Sequence, residues 1–255
     1  MSKRRVSVII IFFNESRFIA EAVESVRAQD FNEWELILVD DGSTDGSSAI
    51  AQYYAQLDRN RIRYITHPGR VNRGMSASRN LGITHSAGEF VAFLDADDVW
   101  LRGKLAEQVA ILDSRSEADL LYGRTLIWNS WLTASEASNF FYELGVVPDR
   151  LYRPPYLFEI LLENKAQTPT VCNAIFRRSL LDKIGVFENS FRGMFEDQVF
   201  FAKALLSTAV YVDSRVWAQY RQHDKSCSAS SDAHNLARLR FLKWLKRYVR
   251  ETQDI

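Results

Sequence analysis

The sequence predicts an α/β fold in which a central, mostly parallel β-sheet is flanked by helices. Three near-continuous apolar runs, at residues 6–12, 36–39 and 90–94, have the pattern of strands that are buried on both faces. Segments with a helical spacing of apolar residues separate these runs, and such strand–helix alternation is typical of parallel sheets. In sheets of this kind the ligand crevice lies beyond the carboxyl ends of the strands.

The other elements are predicted from apolar spacing, which has a period near 3.6 in helices and near 2 in strands. In the first hundred residues they are a helix at 18–29, a helix carrying Ile50 and Leu57, a strand at 62–66, a polar loop at 67–74 and a helix around 76–86. Later come a helix from about 101, strands at 120–122, 125–128, 171–176, 209–212 and 216–220, helices at 179–184 and from 196, and a helical tail at 233–250. Residues 133–165 are irregular and rich in aromatic side chains, so we predict a loop or loosely helical insert over the crevice.

The overall composition excludes several kinds of partner. Lys and Arg together number 32, as do Asp and Glu, so no net charge attracts nucleic acid or an anionic membrane to the chain as a whole. The two cysteines, Cys172 and Cys227, have neither paired nor metal-type spacing, which suits a reducing cytoplasm. No apolar run reaches the length of a membrane span. We therefore expect a cytoplasmic globular protein that binds no nucleic acid.

An acidic cluster follows the third apolar run. Asp95, Asp97 and Asp98 bring three carboxylates within four residues, where they would repel one another unless a cation lay among them. A divalent metal ion takes oxygen ligands and can bridge to phosphate oxygens; the alternative is a solvated acidic turn that caps the next helix. Polar residues also follow the first two runs, at 14–15 and 40–41, and we expect all three groups to meet in one crevice.

Several strings of the sequence are similar to the motifs of one enzyme family. They are VSVII at 6–10 with NE at 14–15, LVDDGSTD at 38–45, NRGMSASRNLGI at 72–83, GEFVAFLDADD at 88–98, FED at 195–197 and YRQH at 220–223. In this order they resemble the inverting glycosyltransferases of family 2, over residues 6–228. The resemblance implies a nucleotide-diphospho-sugar transferase fold of the GT-A type. It implies one domain over 1–255, with a nucleotide-binding half near 1–98, an acceptor-binding half near 99–228 and a C-terminal basic amphipathic helix near 229–255.

The resemblance also implies roles for individual residues. Nucleotide contacts are expected from Phe13, Asn14, Glu15, Asp41, Arg79, Asp95 and Asp97, and metal contacts from Asp97, Asp98 and His223. Asp41 would accept a hydrogen bond from the ring N–H of the base, and Arg79 would point at the diphosphate or brace the acidic cluster. A Mn²⁺ or Mg²⁺ ion would stabilise the charge that develops on the leaving diphosphate.

Each of these roles has a structural alternative. Asp41 could be only a turn former, Phe13 a core residue, Arg79 a surface cation paired with Glu89 or Asp95, and His223 a structural histidine. The chain also departs from the family pattern at two positions. Ile11 stands where the family usually has proline, and Phe13 where it usually has tyrosine.

The reaction also requires a base, and Asp197 is the candidate. In an inverting single displacement an acceptor hydroxyl attacks opposite the leaving group, and a carboxylate must take its proton. Asp197 follows Glu196 at a predicted helix start, and the resemblance assigns the base to this position. The alternative is that the two acids only cap that helix. We expect Glu196 to support the site rather than to catalyse.

Together these expectations indicate transfer of a sugar from a nucleotide diphosphate, with UDP as the expected nucleotide, to a hydroxyl of a glycan or lipid-linked acceptor in polysaccharide biosynthesis. A nucleotidyltransferase is one alternative, because such enzymes also combine a parallel sheet with metal-binding acids. They typically have a Gly-rich basic loop after the first strand, and residues 13–16 contain neither glycine nor lysine. A non-catalytic module that binds nucleotide sugars is the other alternative.

The C-terminal segment predicts a basic amphipathic helix that contains a tryptophan. Its cations are Arg238, Arg240, Lys243, Lys246, Arg247 and Arg250. Such a helix could lie on the inner face of an anionic membrane, close to a lipid-linked acceptor. Alternatively, its apolar residues pack on the domain or on a second subunit and leave a solvated basic face. We favour the second interpretation.

Overall fold

The computed structural model describes residues 4–131, 138–223 and 231–252. The strands are β1 (Val6–Phe12), β2 (Trp34–Asp40), β3 (Ile62–Thr66), β4 (Phe90–Asp95), β5 (Val99–Trp100), β6 (Leu120–Trp128), β7 (Arg150–Tyr152), β8 (Ala174–Arg177) and β9 (Val210–Arg221). The helices are α1 (Ile19–Arg27), α2 (Ser47–Leu57), α3 (Met75–Thr84), α4 (Lys104–Ser114), α5 (Tyr156–Glu163), α6 (Leu180–Ile184), α7 (Glu196–Ser207) and α8 (Ser231–Thr252), with a 3₁₀ turn at Pro68–Arg70. These strands form one mixed sheet in the order β3-β2-β1-β4-β8-β6-β9-β5, and β7 pairs with β9 beside this path.

The first half of the sheet is parallel, as the sequence predicts. β1 pairs in parallel with β2 on one side and with β4 on the other, and β3 extends the sheet beyond β2. Successive residues of β1 face opposite cores: Ile9 and Ile11 pack into one, and Val8 and Ile10 into the other. Every residue of β1 and β2 is buried. Burial on both faces explains why these strands are near-continuous apolar runs.

Helices cover both faces of the sheet. α1, α2 and α4 contribute buried residues such as Val23, Ala51 and Leu105 to the core on one face. α3, α5, α6, α7 and α8 contribute to the core on the opposite face, which includes Phe200 and Trp244. This is the layered α/β arrangement that the strand–helix alternation predicts. It leaves the carboxyl ends of β1, β2 and β4 open at one end of the sheet.

The second half of the sheet differs from the prediction in its strands. Residues 120–128 form one strand with irregular register near Gly123, so the prediction of two strands is wrong. A Cβ at Gly123 would lie 2.6 Å from the carbonyl oxygen of Arg215, and this close approach of β9 requires glycine. Residues 210–221 likewise form one strand rather than two. β8 is antiparallel to both β4 and β6 and joins the two halves.

The segment at 133–165 contains more regular structure than predicted. Its described part includes β7 and α5, and Leu157, Phe158 and Leu161 of α5 are buried in the core. Residues 132–137 and Cys227 lie outside the described residues. Within the described ranges, no helix combines the length and the apolar character needed to cross a membrane.

Candidate functional site

A cavity of about 360 Å³ lies beyond the carboxyl ends of β1, β2 and β4, where the sequence predicts a crevice. Each strand end contributes to its wall: Phe13 and Glu15 follow β1, Asp41 follows β2, and Asp95 and Asp97 end or follow β4. The loops before α3 and α7 close the remaining sides. The three predicted strand-end groups therefore meet in one place.

The two acids at the end of β2 have different surroundings. Asp41 lines the cavity, and its two carboxylate oxygens accept hydrogen bonds from the backbone N–H groups of Arg73 and Gly74, at 2.7 and 2.9 Å. Each oxygen has a second lone pair for a further donor. Asp40 is completely buried, and it accepts hydrogen bonds within its own loop and from the Tyr64 hydroxyl at 2.8 Å. Asp40 is therefore the turn former, and Asp41 is the acid that faces the cavity.

The residues after β1 divide between the cavity and the neighbouring loop. Phe13 is 45% exposed at the cavity wall, so it is not a core residue. Glu15 lies in the same wall, where burial and the negative charge of Asp97 raise its pKa to about 7. Asn14 instead accepts a hydrogen bond from the backbone N–H of Thr44 at 2.8 Å, which links the β1 and β2 loops. Its observed role is to hold this loop, and direct contact with a nucleotide stays a prediction.

The members of the acidic cluster face different environments. Asp97 lines the cavity, and its Oδ2 lies 3.0 Å from Nε2 of His223. Asp98 is completely buried, and its Oδ1 accepts a hydrogen bond from the backbone N–H of Arg221 at 3.0 Å. Burial, together with the negative charges of Asp97 and Asp95, raises the pKa of Asp98 well above its usual value. Asp97 and Asp98 are the two candidate metal ligands of the cluster, and of these two only Asp97 lines the first cavity. Metal contact by either residue stays a prediction.

The donor atoms near Asp97 fit a hard divalent cation that is shared with a phosphate. Asp97 and His223 offer a carboxylate oxygen and an imidazole nitrogen, and Glu15 and Asp95 add negative charge to the same wall. In the part of the chain that the structure describes, no three acidic, histidine or cysteine side chains are grouped so as to hold a metal ion alone. Mg²⁺ in particular is usually held by one or two protein ligands together with substrate phosphates and water. The residues present therefore fit an ion whose coordination a diphosphate completes.

Arg79 joins the two halves of the site from inside the protein. Its side chain is 1% exposed, and it donates hydrogen bonds to Asp95, at 2.7 Å, and to the buried Glu196. Glu89, one of the partners suggested by the sequence, pairs with Arg5 instead. Because Arg79 is enclosed and bonded to two carboxylates, the structure favours bracing of the acidic cluster over direct contact with a diphosphate.

A second cavity of about 300 Å³ adjoins the first. Met75, Asp95 and Tyr220 line both cavities, so the two share a wall. On its far side the second cavity is bordered by the start of α7 and by the connection between α5 and β8. A ligand group that extends from the first cavity past Asp95 therefore enters the second.

Asp197 lies at the start of α7, in the wall of the second cavity. Its Oδ1 accepts a hydrogen bond from the backbone N–H of Gln198 at 2.8 Å, so it contributes to the helix start, as one interpretation predicts. Burial raises the pKa of its carboxyl, and the positive charge of Arg79 opposes that rise. A carboxylate with a raised pKa is a suitable proton acceptor near neutral pH. The geometry is compatible with both roles at once.

The second cavity also contains residues that no sequence motif indicated. They are Asn164, Thr170, Cys172 and Gln198. Cys172 is buried, and its Sγ lies 3.3 Å from the Thr170 hydroxyl. Close to this thiol, Lys104 is completely buried, and burial lowers its pKa to about 7. For Lys104 the sequence offers one signal, which is a lysine beside the apolar face of the α4 segment. No comparable signal in the sequence indicates Asn164, Thr170, Cys172 or Gln198.

Comparison with known proteins gives this geometry a context. The model of glycosyl transferase family 2 matches residues 7–185. The chain belongs to glycosyl transferase family 2. It therefore shares a family with the proteins whose motifs its sequence resembles.

Two relatives from Bacillus subtilis strain 168 show the extent of the likeness. The chain is 38% identical over 126 residues to the putative teichuronic acid biosynthesis glycosyltransferase TuaG, with 49% of this chain and 48% of TuaG covered. It is 35% identical over 127 residues to the putative glycosyltransferase EpsE, with 50% of this chain and 45% of EpsE covered. The chain thus spans about half the length of the curated relatives it matches.

Solved structures share the fold. The crystal structure of S. aureus TarS 1–349 in complex with UDP-GlcNAc aligns with a TM-score of 0.68 at 23% identity, over 89% of this chain and 61% of that chain. The mannosyltransferase PcManGT from Pyrobaculum calidifontis, in complex with GDP-Man and Mn²⁺, aligns with a TM-score of 0.62 at 22% identity, over 88% and 59%. These alignments confirm the GT-A fold that the motifs implied.

Proposed function

We propose that this protein transfers a sugar from UDP to a hydroxyl group of a glycan in polysaccharide biosynthesis, by a metal-assisted inverting displacement. One observation carries the proposal: two cavities share a wall at Asp95, with Phe13 and Asp41 lining the first and Asp197 lining the second. This arrangement suits a reaction in which a leaving diphosphate and an attacking hydroxyl lie on opposite sides of one carbon atom.

The first cavity has the groups that recognition of a nucleoside diphosphate requires. Phe13 offers an exposed ring for stacking on the base, and Asp41 offers a fixed carboxylate for the ring N–H of that base. Asp97 and His223 would hold a divalent cation, which supplies positive charge to the leaving diphosphate when bound. UDP is the nucleotide in the TarS complexes, and GDP-Man with Mn²⁺ is bound in PcManGT. We choose UDP because the TarS complex with UDP-GlcNAc has the higher TM-score of the two.

Asp197 would act as the base in the second cavity. It takes the proton of the acceptor hydroxyl as that oxygen forms a bond to the anomeric carbon. On the opposite face the bond from this carbon to the diphosphate oxygen breaks, and the nucleoside diphosphate leaves with the electron pair. Burial is the main cause of the raised pKa of Asp197. A raised pKa makes the carboxylate a stronger base, which supports this role. Attack and departure on opposite faces invert the anomeric configuration.

The choice of a glycan as acceptor rests on the relatives and on the second cavity. TuaG is named for teichuronic acid biosynthesis, which is the synthesis of a polysaccharide. Asn164, Thr170 and Gln198 give the second cavity amide and hydroxyl groups that can form hydrogen bonds with sugar hydroxyls. Met75, Val171 and Phe195 add apolar surface to the same cavity, so it offers both hydrogen-bonding groups for the hydroxyls of a saccharide and apolar surface for its ring faces.

The test compares sugar transfer by the native protein and by Asp197→Asn, with UDP-sugars, a panel of oligosaccharides and Mn²⁺ or Mg²⁺. We expect kcat of Asp197→Asn to fall by about 10²- to 10⁴-fold, the usual contribution of a general base. Asp182→Asn is the matched control, because Asp182 is an exposed acid in the first turn of α6. Unchanged turnover in Asp197→Asn would remove Asp197 as the base. UDP binding by the native protein without transfer or hydrolysis of any donor would favour a binding module instead.

A further inference from the structure

We propose that the outer face of α8 binds an anionic membrane surface and seats lipid phosphate groups in a cationic groove next to the active site. This inference concerns binding to a surface, so it goes beyond the proposed transfer reaction. Only its connection to a lipid-linked acceptor rests on that reaction.

α8 packs one face on the protein and exposes another. The buried face consists of Phe241, Trp244 and Leu245. On the other side, Leu236, Leu239 and Leu242 are 72%, 49% and 40% exposed. A helix face that contacts only solvent normally carries polar residues. The three exposed leucines, at a spacing of three, instead form an apolar strip that suits contact with an apolar partner. The predicted packing of the helix on the domain is therefore confirmed for one face and does not account for the other.

Cations surround this strip. Residues 235–252 contain six Lys or Arg residues and one acid, Glu251. Lys243, Lys246, Arg247 and Arg250 are all exposed. Leucines between exposed cations are characteristic of helices that lie in the headgroup region of a membrane. Cations close to a membrane surface are also attracted to anionic lipids, and neutral lipids do not add this electrostatic attraction.

A groove of about 270 Å³ runs beside α8 and provides a place for a phosphate group. Arg240, Lys243 and Arg247 line it together with the rings of Phe191 and Trp244, and no acidic residue is among its described lining. Arg240 is held in place because it donates a hydrogen bond to the carbonyl oxygen of Ser190 and lies over the Phe191 ring, 5.1 Å from its centroid. A groove with three cations and apolar walls matches a phosphate attached to an apolar chain.

A neighbouring hollow of about 280 Å³ links this groove to the active site. Its lining includes Leu236 and Arg240 from α8, and Arg192, Gly193 and Met194 from the loop before α7. Arg192 and Gly193 also line the first cavity, and Met194 lines the second. The strip and the groove therefore lie beside both cavities. A sugar acceptor held at a membrane surface through a lipid phosphate would be presented at this side of the protein.

A second copy of the chain is the main competing occupant of the strip. A twofold contact through α8 would bring two sets of exposed cations together, and this repulsion opposes association. Glu251 is the one acid in residues 235–252, and it lies 3.9 Å from Arg247 of its own helix. Charge complementarity thus favours an anionic surface over a second copy.

The test is flotation of the full chain with vesicles of phosphatidylcholine alone or mixed with phosphatidylglycerol. We expect binding to the mixed vesicles only, and weaker binding as salt is added. Lys243→Glu with Arg247→Glu should lower the partition coefficient at least about tenfold, since each cation near an anionic surface contributes to affinity. Leu239→Ser with Leu242→Ser should lower it as well, because the apolar strip is lost. The matched controls, Arg59→Glu with Arg153→Glu and Leu57→Ser, change exposed residues elsewhere and should bind as the native protein does.

Three results would overturn the proposal. They are no flotation of the native protein with the mixed vesicles, equal flotation of the native protein and the charge-reversed variant, or a dimer that only the leucine variant converts to a monomer in light scattering. Unfolding midpoints by circular dichroism establish that each variant is folded. Flotation needs no catalysis. Loss of sugar transfer with retained flotation therefore contradicts only the proposed function, and the reverse contradicts only membrane binding.

Discussion

The two cavities of the site are built in different ways. In the first, acids such as Glu15 and Asp97 are only partly buried, and backbone N–H groups hold the buried Asp41 by hydrogen bonds. In the second, acids such as Asp98 and Glu196 are buried, and burial raises the pKa of both. Groups held by the backbone can receive a ligand without reorganisation, whereas buried acids are costly unless they are paired or neutral. Substitutions in the first cavity should therefore affect binding, and substitutions around the second should also affect stability.

The cavities differ as well in how far apart their partners are in the sequence. The bonds that hold Asp41 span 32 and 33 residues, within the parallel half of the sheet. The bond between Arg79 and Glu196 spans 117 residues and connects α3 to α7. The second cavity therefore depends on the docking of the two halves of the chain. The first cavity depends on it less, because only part of its lining, such as Arg192 and Gly193, comes from the second half.

Arg79→Met should have the largest effect on stability. It leaves Asp95 and Glu196 without their buried cation, so we expect the free energy of unfolding to fall by about 3–5 kcal/mol. Urea denaturation measures this quantity. Arg59→Met removes an exposed arginine and should change it by less than about 0.5 kcal/mol. If the two variants had the same stability, the ion pairs of Arg79 with Asp95 and Glu196 would not stabilise the contact between the two halves of the chain.

Asp97→Asn and Asp98→Asn separate the two candidate metal ligands. Asp97→Asn removes the carboxylate beside His223, and we expect Mn²⁺-dependent UDP binding to weaken by about ten- to a hundredfold in calorimetry. Asp98→Asn replaces a buried carboxyl whose raised pKa favours its neutral form, so UDP binding should change little. The opposite order of losses would transfer the metal role to Asp98.

Phe13→Ala tests the first cavity without disturbing the core. Stacking of a base on an aromatic ring contributes about 1–3 kcal/mol, so UDP should bind roughly ten- to a hundredfold more weakly. The unfolding free energy should stay near that of the native protein, because Phe13 is largely exposed. Tyr53→Ala, which removes another exposed ring on α2, should change neither quantity. A large loss of stability in Phe13→Ala would instead indicate a packing role.

The effect of Lys104→Met should be visible in the pH dependence of stability. Burial lowers the pKa of Lys104 from 10.5 to about 7, so between these pH values the unfolded chain binds a proton that the native protein lacks. Native stability therefore gains up to about 1.4 kcal/mol per pH unit on raising the pH through this interval. Lys104→Met should remove this contribution in urea denaturation at several pH values. An unchanged slope would mean that Lys104 keeps its proton in the folded protein.

The sequence predicted the first cavity well because its groups lie at strand ends. Strands buried on both faces have a clear apolar pattern, and the polar residue that ends each one is visible at once, as with Asp41 and Asp97. The pattern was less useful in the second half. β9 continues through Asp213, Ser214 and Arg215, which interrupt the apolar run although the backbone stays extended.

Other features of the second half depend on contacts that no local pattern records. β5 has two residues and exists because it pairs with Gln219 and Ala218 of β9, more than a hundred positions away. Asn164, Thr170 and Cys172 reach the second cavity through the connection from α5 to β8, whose course is set by packing rather than by a motif. Asn14 and Arg79 stand in motifs, but the motifs do not show that Asn14 links two loops or that Arg79 bonds to Asp95, and nucleotide contact by either residue stays a prediction.

The uneven distribution of charge along the chain gives α8 and the rest of the protein opposite net charges. Residues 235–252 carry a net charge of +5, and because the whole chain is neutral, the remaining residues carry −5. An anionic surface would pull the α8 end toward itself and push the rest away, over a distance of about 8–10 Å at moderate ionic strength. The resulting torque would turn the protein before first contact, so that it arrives with the mouths of both cavities beside the surface. The same eighteen residues would then govern the orientation of each encounter as well as its strength.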